Sequence, residues 1–415
     1  MNQIPRKLLP RILYSLSQSP VVFVNGPRQA GKSTLVQKLS HKEFPAEYIT
    51  FDNTTQMSAA ASSPHEFLTA RKGPLIIDEV QMVPEIFRAL KIVVDDLRLQ
   101  DKNHSNGRFL LTGSANIMAL PKLSDPLVGR MSVMSLYPLS ACEAFEGKGT
   151  FLESLFAADF SGYKRAGQKL TEAIRHATFP EISGKDAQDC ASWFEGYLTT
   201  ILQRDVHMLA ELEKIAQLPN LLRILAARAG SLMNDASISR DVGLNAVTSK
   251  SYRSILQAMF LTFDIAPWYR NISKRLVKSP KGYLTDTLLL CHMQGWDLED
   301  LYTNRPHMCG PITENFVATE LQKLLSFSEI RAKLLHFRTS DDKEVDFILE
   351  RPDGTLASIE VKTSDRVDQG DFKVIKDLQT IVGNDMICGI VLYQGSELVP
   401  FGKNLFAVPM SYLWQ

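Results

Sequence analysis

The stretch that decides the fold runs from Val21 to Thr34 and reads VVFVNGPRQAGKST. Its first five residues are typical of a strand and lead directly into Gly26, and the residues that follow Lys32 are typical of a helix. The octapeptide Gly26-x-x-x-x-Gly31-Lys32-Ser33 lies at this junction. Its spacing is that of a phosphate-binding loop, so the sequence predicts a site for a nucleoside triphosphate.

The parts of this loop have separate predicted roles. Its glycines let successive backbone N–H groups point at one spot, and the helix adds the positive end of its dipole there. Lys32 would reach the β- and γ-phosphates, and the Ser33 hydroxyl would hold Mg²⁺. An ordinary glycine turn before a helix is the alternative, which the complete motif and its flanks disfavour. The expected nucleotide-contacting residues of the loop are Gly26, Pro27, Arg28, Gln29, Ala30, Gly31, Lys32, Ser33 and Thr34.

Two carboxylates follow a second apolar stretch, Leu75-Ile76-Ile77-Asp78-Glu79. In an open α/β sheet the carboxyl end of a strand faces the ligand crevice. Asp78 therefore suits a magnesium carboxylate that acts through water, and Glu79 suits the base that polarises the attacking water. A solvated loop is the alternative for such a pair.

Two later segments supply further candidates for the same site. The strand at Phe109 ends in Thr112 and Ser114, which could sense the γ-phosphate or position the water. For Ser114, the cap of a following helix is an equally good interpretation. Arg130 stands where a cationic finger could reach the nucleotide of a neighbouring subunit, with a plain surface arginine as the alternative.

The motifs GPRQAGKS, LIIDEVQ, FLLTGSA, LVGR and YPLSACEAF occur here in this order, from Gly26 to Phe145. In this respect the chain resembles the AAA+-type prokaryotic ATPases that carry a DUF4143 domain at the C-terminus. The resemblance implies nucleotide and Mg²⁺ roles for Gly26, Gly31, Lys32, Ser33, Asp78 and Glu79, and it supports Arg130 as the finger. ATP and Mg²⁺ are the expected ligands, and a homo-oligomer, such as a hexameric ring, is the expected assembly. AAA+ proteins usually have Asn at the sensor position where this chain has Thr112-Gly113-Ser114. Arg175 and Arg204 are the candidates for a second sensor arginine.

Composition sets the frame for the whole chain. Of its 415 residues, 45% are hydrophobic and 22% charged, and 46 Lys and Arg balance 46 Asp and Glu, so any basic surface must be local. The five cysteines are scattered, and neither a secretory leader nor a membrane span is expected, which indicates a cytoplasmic protein. The predicted class is α/β, with a P-loop parallel-sheet ATPase core at 1–145, a helical lid at 146–215, a winged-helix-like segment at 216–284 and a C-terminal α/β domain at 285–415.

The winged-helix-like segment is the predicted DNA contact. Residues 237–256 match a helix-turn-helix, with Thr248, Lys250 and Arg253 expected on the solvent face of the second helix. A basic run interleaved with aromatics follows at 268–281, consistent with a wing over a phosphate backbone. Such modules also serve as protein scaffolds, and the sequence favours neither role. The cations of this predicted surface are Arg253, Arg270, Lys274, Arg275, Lys278 and Lys281.

The last segment resembles the PD-(D/E)xK nuclease superfamily. Its pattern places Glu314 on a helix, Asp346 on a strand, and Glu360-Val361-Lys362 on the next strand. Glu314, Asp346 and Glu360 are the expected metal ligands, while Asp346, Glu360 and Lys362 would act on a phosphodiester. Val345 stands where the superfamily has proline. Polar residues on the exposed face of a hairpin are the alternative.

The sequence thus favours an ATP-driven DNA-processing protein, in which a Mg²⁺-dependent ATPase acts with a C-terminal domain that cuts or grips DNA. The alternative is a nucleotide-controlled switch or scaffold whose C-terminal domain only docks DNA or a protein partner.

Overall fold

The computed structural model describes residues 4–100, 105–114, 127, 129–165, 167–202, 215–270, 279–339 and 341–415. The chain divides into two compact units: the first comprises residues 1–138 and 257–260, and the second 139–256 and 261–415. Four cations named above, Arg204, Lys274, Arg275 and Lys278, lie outside the described residues. Helices and strands are numbered below in chain order over the described part.

The first unit is an α/β fold around a parallel sheet of five strands, in the order β2-β3-β4-β1-β5. This confirms the parallel sheet predicted from the sequence. The strands are β1 Val21–Asn25, β2 Glu47–Thr50, β3 Leu75–Asp78, β4 Phe109–Gly113 and β5 Met131–Ser135. The helices are α1 Leu9–Gln18, α2 Lys32–His41, α3 Thr54–Ser62, α4 Pro64–Thr69 and α5 Ile86–Gln100.

Burial explains why these strands form the centre of the unit. Every residue of β1, β3 and β4 is buried, as expected for parallel strands that are covered on both faces. Helix α5 packs on the sheet through an apolar stripe that includes Ile86, Leu90 and Val94. Since β1, β3 and β4 are parallel neighbours, their carboxyl ends lie along one edge, where the predicted nucleotide residues follow.

The second unit combines helices with a mixed sheet of eight strands, ordered β12-β13-β11-β10-β9-β8-β6-β7. Its strands are β6 Thr262–Pro267, β7 Lys281–Leu284, β8 Lys333–Arg338, β9 Glu344–Glu350, β10 Leu356–Val361, β11 Met386–Tyr393, β12 Val399–Gly402 and β13 Leu405–Pro409. From residue 139 onward the helices are α6 Ala141–Ala144, α7 Phe151–Ala157, α8 Leu170–His176, α9 Ala187–Thr200, α10 Leu218–Ala227, α11 Asp235–Val242, α12 Ala246–Ala258, α13 Thr287–Gln294, α14 Leu298–Asn304, α15 Gly310–Phe327 and α16 Lys373–Val382.

The run predicted as a wing, 268–281, lies in the chain between the strands β6 and β7 and includes Lys281, the first residue of β7. These two strands form an antiparallel hairpin, and β6 also runs parallel to β8 through Ala266 and Pro267. The hairpin is therefore the end of the C-terminal sheet, and it carries Lys281 to the strands that bear the predicted nuclease-like residues. The four-segment division of the chain stays a prediction, although this pairing joins parts of its last two segments.

Helix α15 is fixed by a buried ion pair. Lys323 Nζ lies 3.0 Å from Glu320 Oε1 and donates to the backbone oxygens of Leu139 and Ala177, both at 3.0 Å. Glu320 Oε2 accepts from the Ala141 amide at 2.8 Å. These contacts satisfy both charges inside the unit and anchor the helix that also carries Glu314.

Two further findings concern the chain as a whole. All five cysteines are buried and free of disulfides. Among the described helices, none has both the length and the apolar character needed to cross a membrane.

Candidate functional site

The phosphate-binding loop connects β1 to α2 with a tightly constrained backbone. Gly26 has φ +149°, and a Cβ atom at this position would lie only 2.1 Å from the Leu136 carbonyl oxygen, so a side chain cannot be accommodated. Gly31 has φ +93° and forms the N-terminal cap of α2, while Gln29 is also left-handed at φ +61°. The loop thus leads into the N-terminus of α2, whose backbone N–H groups favour binding of an anion.

Lys32 rests on its own loop in this structure. Its side chain is buried, and Nζ donates to the carbonyl oxygens of Gly26 at 2.9 Å and Pro27 at 2.7 Å. Arg6 supports the same loop by donating from Nη1 to the Ala30 carbonyl oxygen at 2.6 Å and from Nη2 to that of Tyr137 at 2.5 Å. Arg6 could not be predicted from local sequence patterns, because its contacts span 24 and 131 residues of chain.

The other loop residues line the turn at different depths. Pro27 and Ala30 are buried, Arg28 and Ser33 are half-buried, and Gln29 and Thr34 are exposed. Their contacts with a nucleotide stay predictions.

Asp78 ends β3 and is held by two neutral hydroxyls. Tyr48 donates to Asp78 Oδ2 at 2.7 Å, and Thr112 makes a short hydrogen bond to Asp78 Oδ1. Burial, followed by the hydrogen bond to Asp78, raises the pKa of the Tyr48 hydroxyl above its ordinary value, so Tyr48 stays a donor at neutral pH. Thr112, expected to contact the nucleotide, is fully buried and orients this carboxylate. Its contact with a nucleotide stays a prediction.

Glu79 follows with a left-handed backbone, at φ +56°. Its carboxylate accepts a short hydrogen bond from Gln81 Nε2, and the same amide donates to Ser114 Oγ at 2.8 Å. Gln81 therefore connects the ends of β3 and β4. It lies within the motif LIIDEVQ, but the motif alone did not indicate this bridging role. A non-glycine residue in this backbone region costs about 1–3 kcal/mol, which the surrounding structure must offset. The role of Glu79 as the base stays a prediction.

Arg130 forms a bidentate ion pair within the same unit. Its Nε lies 2.6 Å from Asp95 Oδ1, and its Nη2 lies 2.9 Å from Asp95 Oδ2. The two side chains are 25% and 38% exposed, respectively, so the pair is open to solvent. To act as a finger toward another subunit, Arg130 would have to leave Asp95.

The residues of this edge suit a magnesium-bound triphosphate. Ser33 offers a half-buried hydroxyl in the first turn of α2, and Asp78 and Glu79 offer carboxylates at the end of β3. Hydroxyl and carboxylate oxygens are the ligands that Mg²⁺ takes from a protein when phosphates supply the others. The donor set therefore fits the metal.

A second cluster of charged groups lies in the C-terminal sheet. Glu314 from α15 and the β9 residues Glu344 and Asp346 each place a carboxylate oxygen within 4.8 Å of the others. Lys281 of β7 reaches all three: Nζ lies 2.8 Å from Glu314 Oε1 and 3.4 Å from Asp346 Oδ1, and it forms a short ion pair with Glu344. Tyr283 also donates to Glu314 Oε1, at 2.7 Å.

The structure changes the metal set expected from the sequence. Glu314 and Asp346 do meet, but within the described residues the third member of their carboxylate group is Glu344 rather than Glu360. Glu344 and Asp346 are two apart on one strand, a spacing that places both on one face and could have predicted this. Lys281 was expected on a basic DNA-binding run. That expectation is wrong, because its ammonium is buried among carboxylates.

Glu360 and Lys362 lie beside this cluster. Lys362 Nζ lies 3.1 Å from Glu360 Oε1 and 3.7 Å from Asp371 Oδ1, and the Val361 amide donates to Asp346 Oδ2 at 2.9 Å. The expected alignment of Glu360 with Lys362 on one face is therefore present. Their catalytic roles stay predictions.

Electrostatics in the cluster follow from burial and from crowding of acids. Burial, and then repulsion by Asp346, raise the pKa of Glu314 to about 7 and that of Glu360 to about 8. Burial opposes the charge of Lys281, but attraction by Glu314, Asp346 and Glu344 outweighs it and raises the pKa of the ammonium above its ordinary value. Lys281 therefore stays charged at neutral pH.

The cluster as it stands does not fit a magnesium ion. Each of its three carboxylates is already paired with the Lys281 ammonium, and Glu314 Oε1 accepts from Tyr283 as well. A divalent cation would have to displace a positive charge from the same oxygens. We therefore derive no metal-dependent step for this site.

Arg253, expected on the solvent face of the helix-turn-helix, is instead buried. Its guanidinium donates to Asp264 Oδ2 at 2.7 Å and forms a short ion pair with Asp235. The helices themselves agree with the prediction: α11 ends at Gly243, which is left-handed at φ +72°, and α12 follows after a short turn. Arg253 therefore ties α11, α12 and β6 together and is not free to contact DNA.

Comparison with known families follows the division of the chain. Residues 18–145 match the AAA domain family, and residues 309–413 match the domain of unknown function DUF4143. Residues 167–300 match a further domain of unknown function, DUF8612. The first two matches confirm the resemblance inferred from the sequence motifs, and the AAA domain identifies the chain as an ATPase.

Relatives along the full chain have no assigned activity. Uncharacterized proteins of Mycobacterium tuberculosis and Mycobacterium bovis are each 28% identical over 402 residues, which is 96% of this chain and 82% of theirs. Among solved structures, a Walker-type ATPase of Pyrococcus abyssi has a TM-score of 0.42 at 14% identity and covers 71% of this chain and 96% of its own. AMPPCP-bound DnaA of Aquifex aeolicus has a TM-score of 0.29 at 13% identity, covering 60% and 86%.

Proposed function

Since residues 18–145 form an AAA-type ATPase domain and residues 309–413 a DUF4143 domain, we propose that this chain is a Mg²⁺-dependent ATPase that acts on DNA. The observation that carries the first half of the proposal is the convergence at one sheet edge. The loop after β1 and the acids at the end of β3 lie along the same carboxyl edge of the sheet, on either side of β4, which supports a phosphate-binding site there.

The roles follow from the positions of the residues. Lys32 leaves the carbonyl oxygens of Gly26 and Pro27 to contact the β- and γ-phosphates. Ser33 and Asp78 hold Mg²⁺, which neutralises charge on the phosphates. Glu79 accepts the proton of the attacking water, while the backbone amides of the loop bind the phosphate oxygens.

Two substitutions separate binding from hydrolysis. Lys32→Ala should lose nucleotide affinity and turnover together, whereas Glu79→Gln should bind ATP and lose turnover, because only the base is removed. Lys38→Ala, an exposed lysine on the same helix, is the matched control. A Lys32→Ala protein with full affinity and turnover would refute the site.

DNA is the proposed partner of the second unit. The helix-turn-helix α11–α12 supports this, with Lys250 exposed on its second helix and Arg270 exposed beyond β6. Gel shifts with single-stranded, duplex, forked and four-way substrates test binding, and the same substrates with Mg²⁺ test cleavage. Binding should weaken steeply with salt. A lack of binding to every substrate would remove DNA from the proposal and leave the ATPase.

A second candidate function is a nucleotide-controlled switch, a homo-oligomer whose assembly depends on the bound nucleotide. The observation that favours it is that Lys32, Glu79 and Arg130 are all held by partners within the first unit. ATP would bind the state in which Lys32, Glu79 and Arg130 have left these partners, and would therefore favour that state. A steady-state ATPase assay separates the candidates, because the switch predicts slow hydrolysis that DNA does not stimulate.

A further inference from the structure

The C-terminal cluster has a cation of its own in the Lys281 ammonium. Nζ is within ion-pair distance of Glu314, Glu344 and Asp346, which come from two elements, and Glu344 also pairs with Arg338 at 3.0 Å. In metal sites, carboxylates surround a metal ion in this way. Here the Lys281 ammonium occupies the position of the metal ion. The side chain is only 2% exposed, so water does not replace these contacts.

The backbone of Lys281 is fixed on both sides. Within β7 it pairs with Ile265 of β6, and a bridge joins it to Leu232 on its other side. Because the Cα position is set by two neighbouring backbones, the side chain cannot leave by a simple loop movement. The ammonium is therefore a fixed component of the site and does not come from a movable surface segment.

Several oxygens of the cluster have partners besides Lys281, and Glu344 Oε2 accepts from Arg338 Nη1 at 3.0 Å. Glu314 Oε1 accepts from Lys281 and Tyr283, which uses both of its lone pairs. Asp346 faces Lys281 with Oδ1 and accepts from the Val361 amide with Oδ2. A divalent ion would have to break these bonds and share the carboxylates with a positive charge at close range.

We propose that Lys281 is the permanent cation of this cluster, so that the site takes no divalent metal and the second unit holds its DNA without Mg²⁺-dependent cutting. This deepens the proposed function of the second unit and does not depend on ATP hydrolysis. It also gives Lys281 a defined role, that of a positioning residue which keeps Glu314 and Asp346 together.

The test uses Mn²⁺ as the probe with the full-length, nucleotide-free chain. Calorimetry should give the same Mn²⁺ binding for the unchanged protein and for Asp346→Asn. Mn²⁺ should not alter the melting temperature of the unchanged protein either. In Lys281→Met the three carboxylates lose the ammonium that they share, and only Glu344 keeps a cation, Arg338. The melting temperature should therefore fall without metal and recover with Mn²⁺. At a metal concentration about 100-fold above the dissociation constant, the expected recovery is about 5 °C.

A matched lysine keeps the comparison specific. Lys343, directly before β9, is 44% exposed and pairs with Asp341 and Asp377, so Lys343→Met should show no response to Mn²⁺. Mn²⁺ binding by the unchanged chain that disappears in Asp346→Asn would overturn the proposal, and this arm requires no Lys281 variant to fold. Gel shifts report on DNA binding independently, so failure of that function is distinguishable from failure of the metal-free site.

Discussion

The exposed ion pair between Arg130 and Asp95 allows a numerical test of the hypothesis that Arg130 is a cationic finger. If Arg130 serves the nucleotide of a neighbouring subunit, it must first leave Asp95, and the cost of leaving limits hydrolysis. Exposed ion pairs are worth about 0.2–1 kcal/mol, and solvent reaches both partners here. Since 1.4 kcal/mol is a factor of ten, Asp95→Ala should raise the turnover rate by at most about fivefold.

Removing the arginine should have a far larger effect of opposite sign. A cationic finger contributes about 10³-fold or more to phosphoryl transfer, so Arg130→Ala should lower turnover by that order with ATP affinity little changed. The control is Arg98→Ala, because Arg98 donates to the Gly129 carbonyl oxygen at 3.2 Å beside the pair but has no predicted contact with the nucleotide. Steady-state hydrolysis, measured over a range of protein concentrations, provides the readout.

Mixing two inactive variants tests whether the finger acts between subunits. Lys32→Ala retains Arg130 but cannot bind nucleotide, and Arg130→Ala retains the phosphate loop. A mixed assembly contains interfaces with one intact loop and one intact arginine, so activity should reappear. Arg130→Ala with unchanged turnover would refute the finger altogether, and loss of turnover without recovery on mixing would refute its action between subunits.

Three further predictions concern single contacts. Gln81→Ala should lower turnover by about 10- to 100-fold at unchanged ATP affinity, because Glu79 loses a hydrogen bond to a charged group worth about 1.5–3 kcal/mol; equal rates in a steady-state assay would contradict this. Burial, and after it a neighbouring carboxylate, raise the pKa of Glu360 to about 8 from 4.5, so the folded chain binds more protons than the unfolded chain between these values and stability should fall as pH rises across them. Thermal unfolding from about pH 5 to about pH 8 should show a shallower fall in Glu360→Gln, and an identical slope would count against the shift. Arg253→Met should destabilise the second unit by about 2–4 kcal/mol in denaturant unfolding, since it leaves two aspartates without their partner, whereas Lys250→Met should have little effect.

The first unit was predictable because its signals are local. A phosphate-binding loop requires a strand before Gly26 and a helix after Gly31, so the motif fixes two elements and their junction at once. The apolar runs at 75–78 and 109–113 are fully buried strands, as their composition indicated. The bridging role of Gln81 could not be predicted from local patterns, because its hydrogen bond to Ser114 depends on how β3 and β4 lie side by side.

The second unit shows where such reasoning fails. Lys281 and Arg253 were grouped with a basic run because charge in a sequence is read from neighbours along the chain. Their actual neighbours are distant: Lys281 meets Asp346 across 65 residues and Arg253 meets Asp235 across 18. Pairing of buried charges is decided by sheet order, and β6 joining β8 was not apparent from local pattern.

The type of partner, rather than the count of acids, distinguishes the two charged sites. In the first, the hydrogen bonds to Asp78 and Glu79 come from neutral groups, the hydroxyls of Tyr48 and Thr112 and the amide of Gln81. Neutral donors orient a carboxylate but leave its charge, so the site retains attraction for a cation. In the second, the Lys281 ammonium already supplies the positive charge. The same physical rule therefore supports both proposals, Mg²⁺ at the nucleotide edge and no divalent metal at the C-terminal cluster.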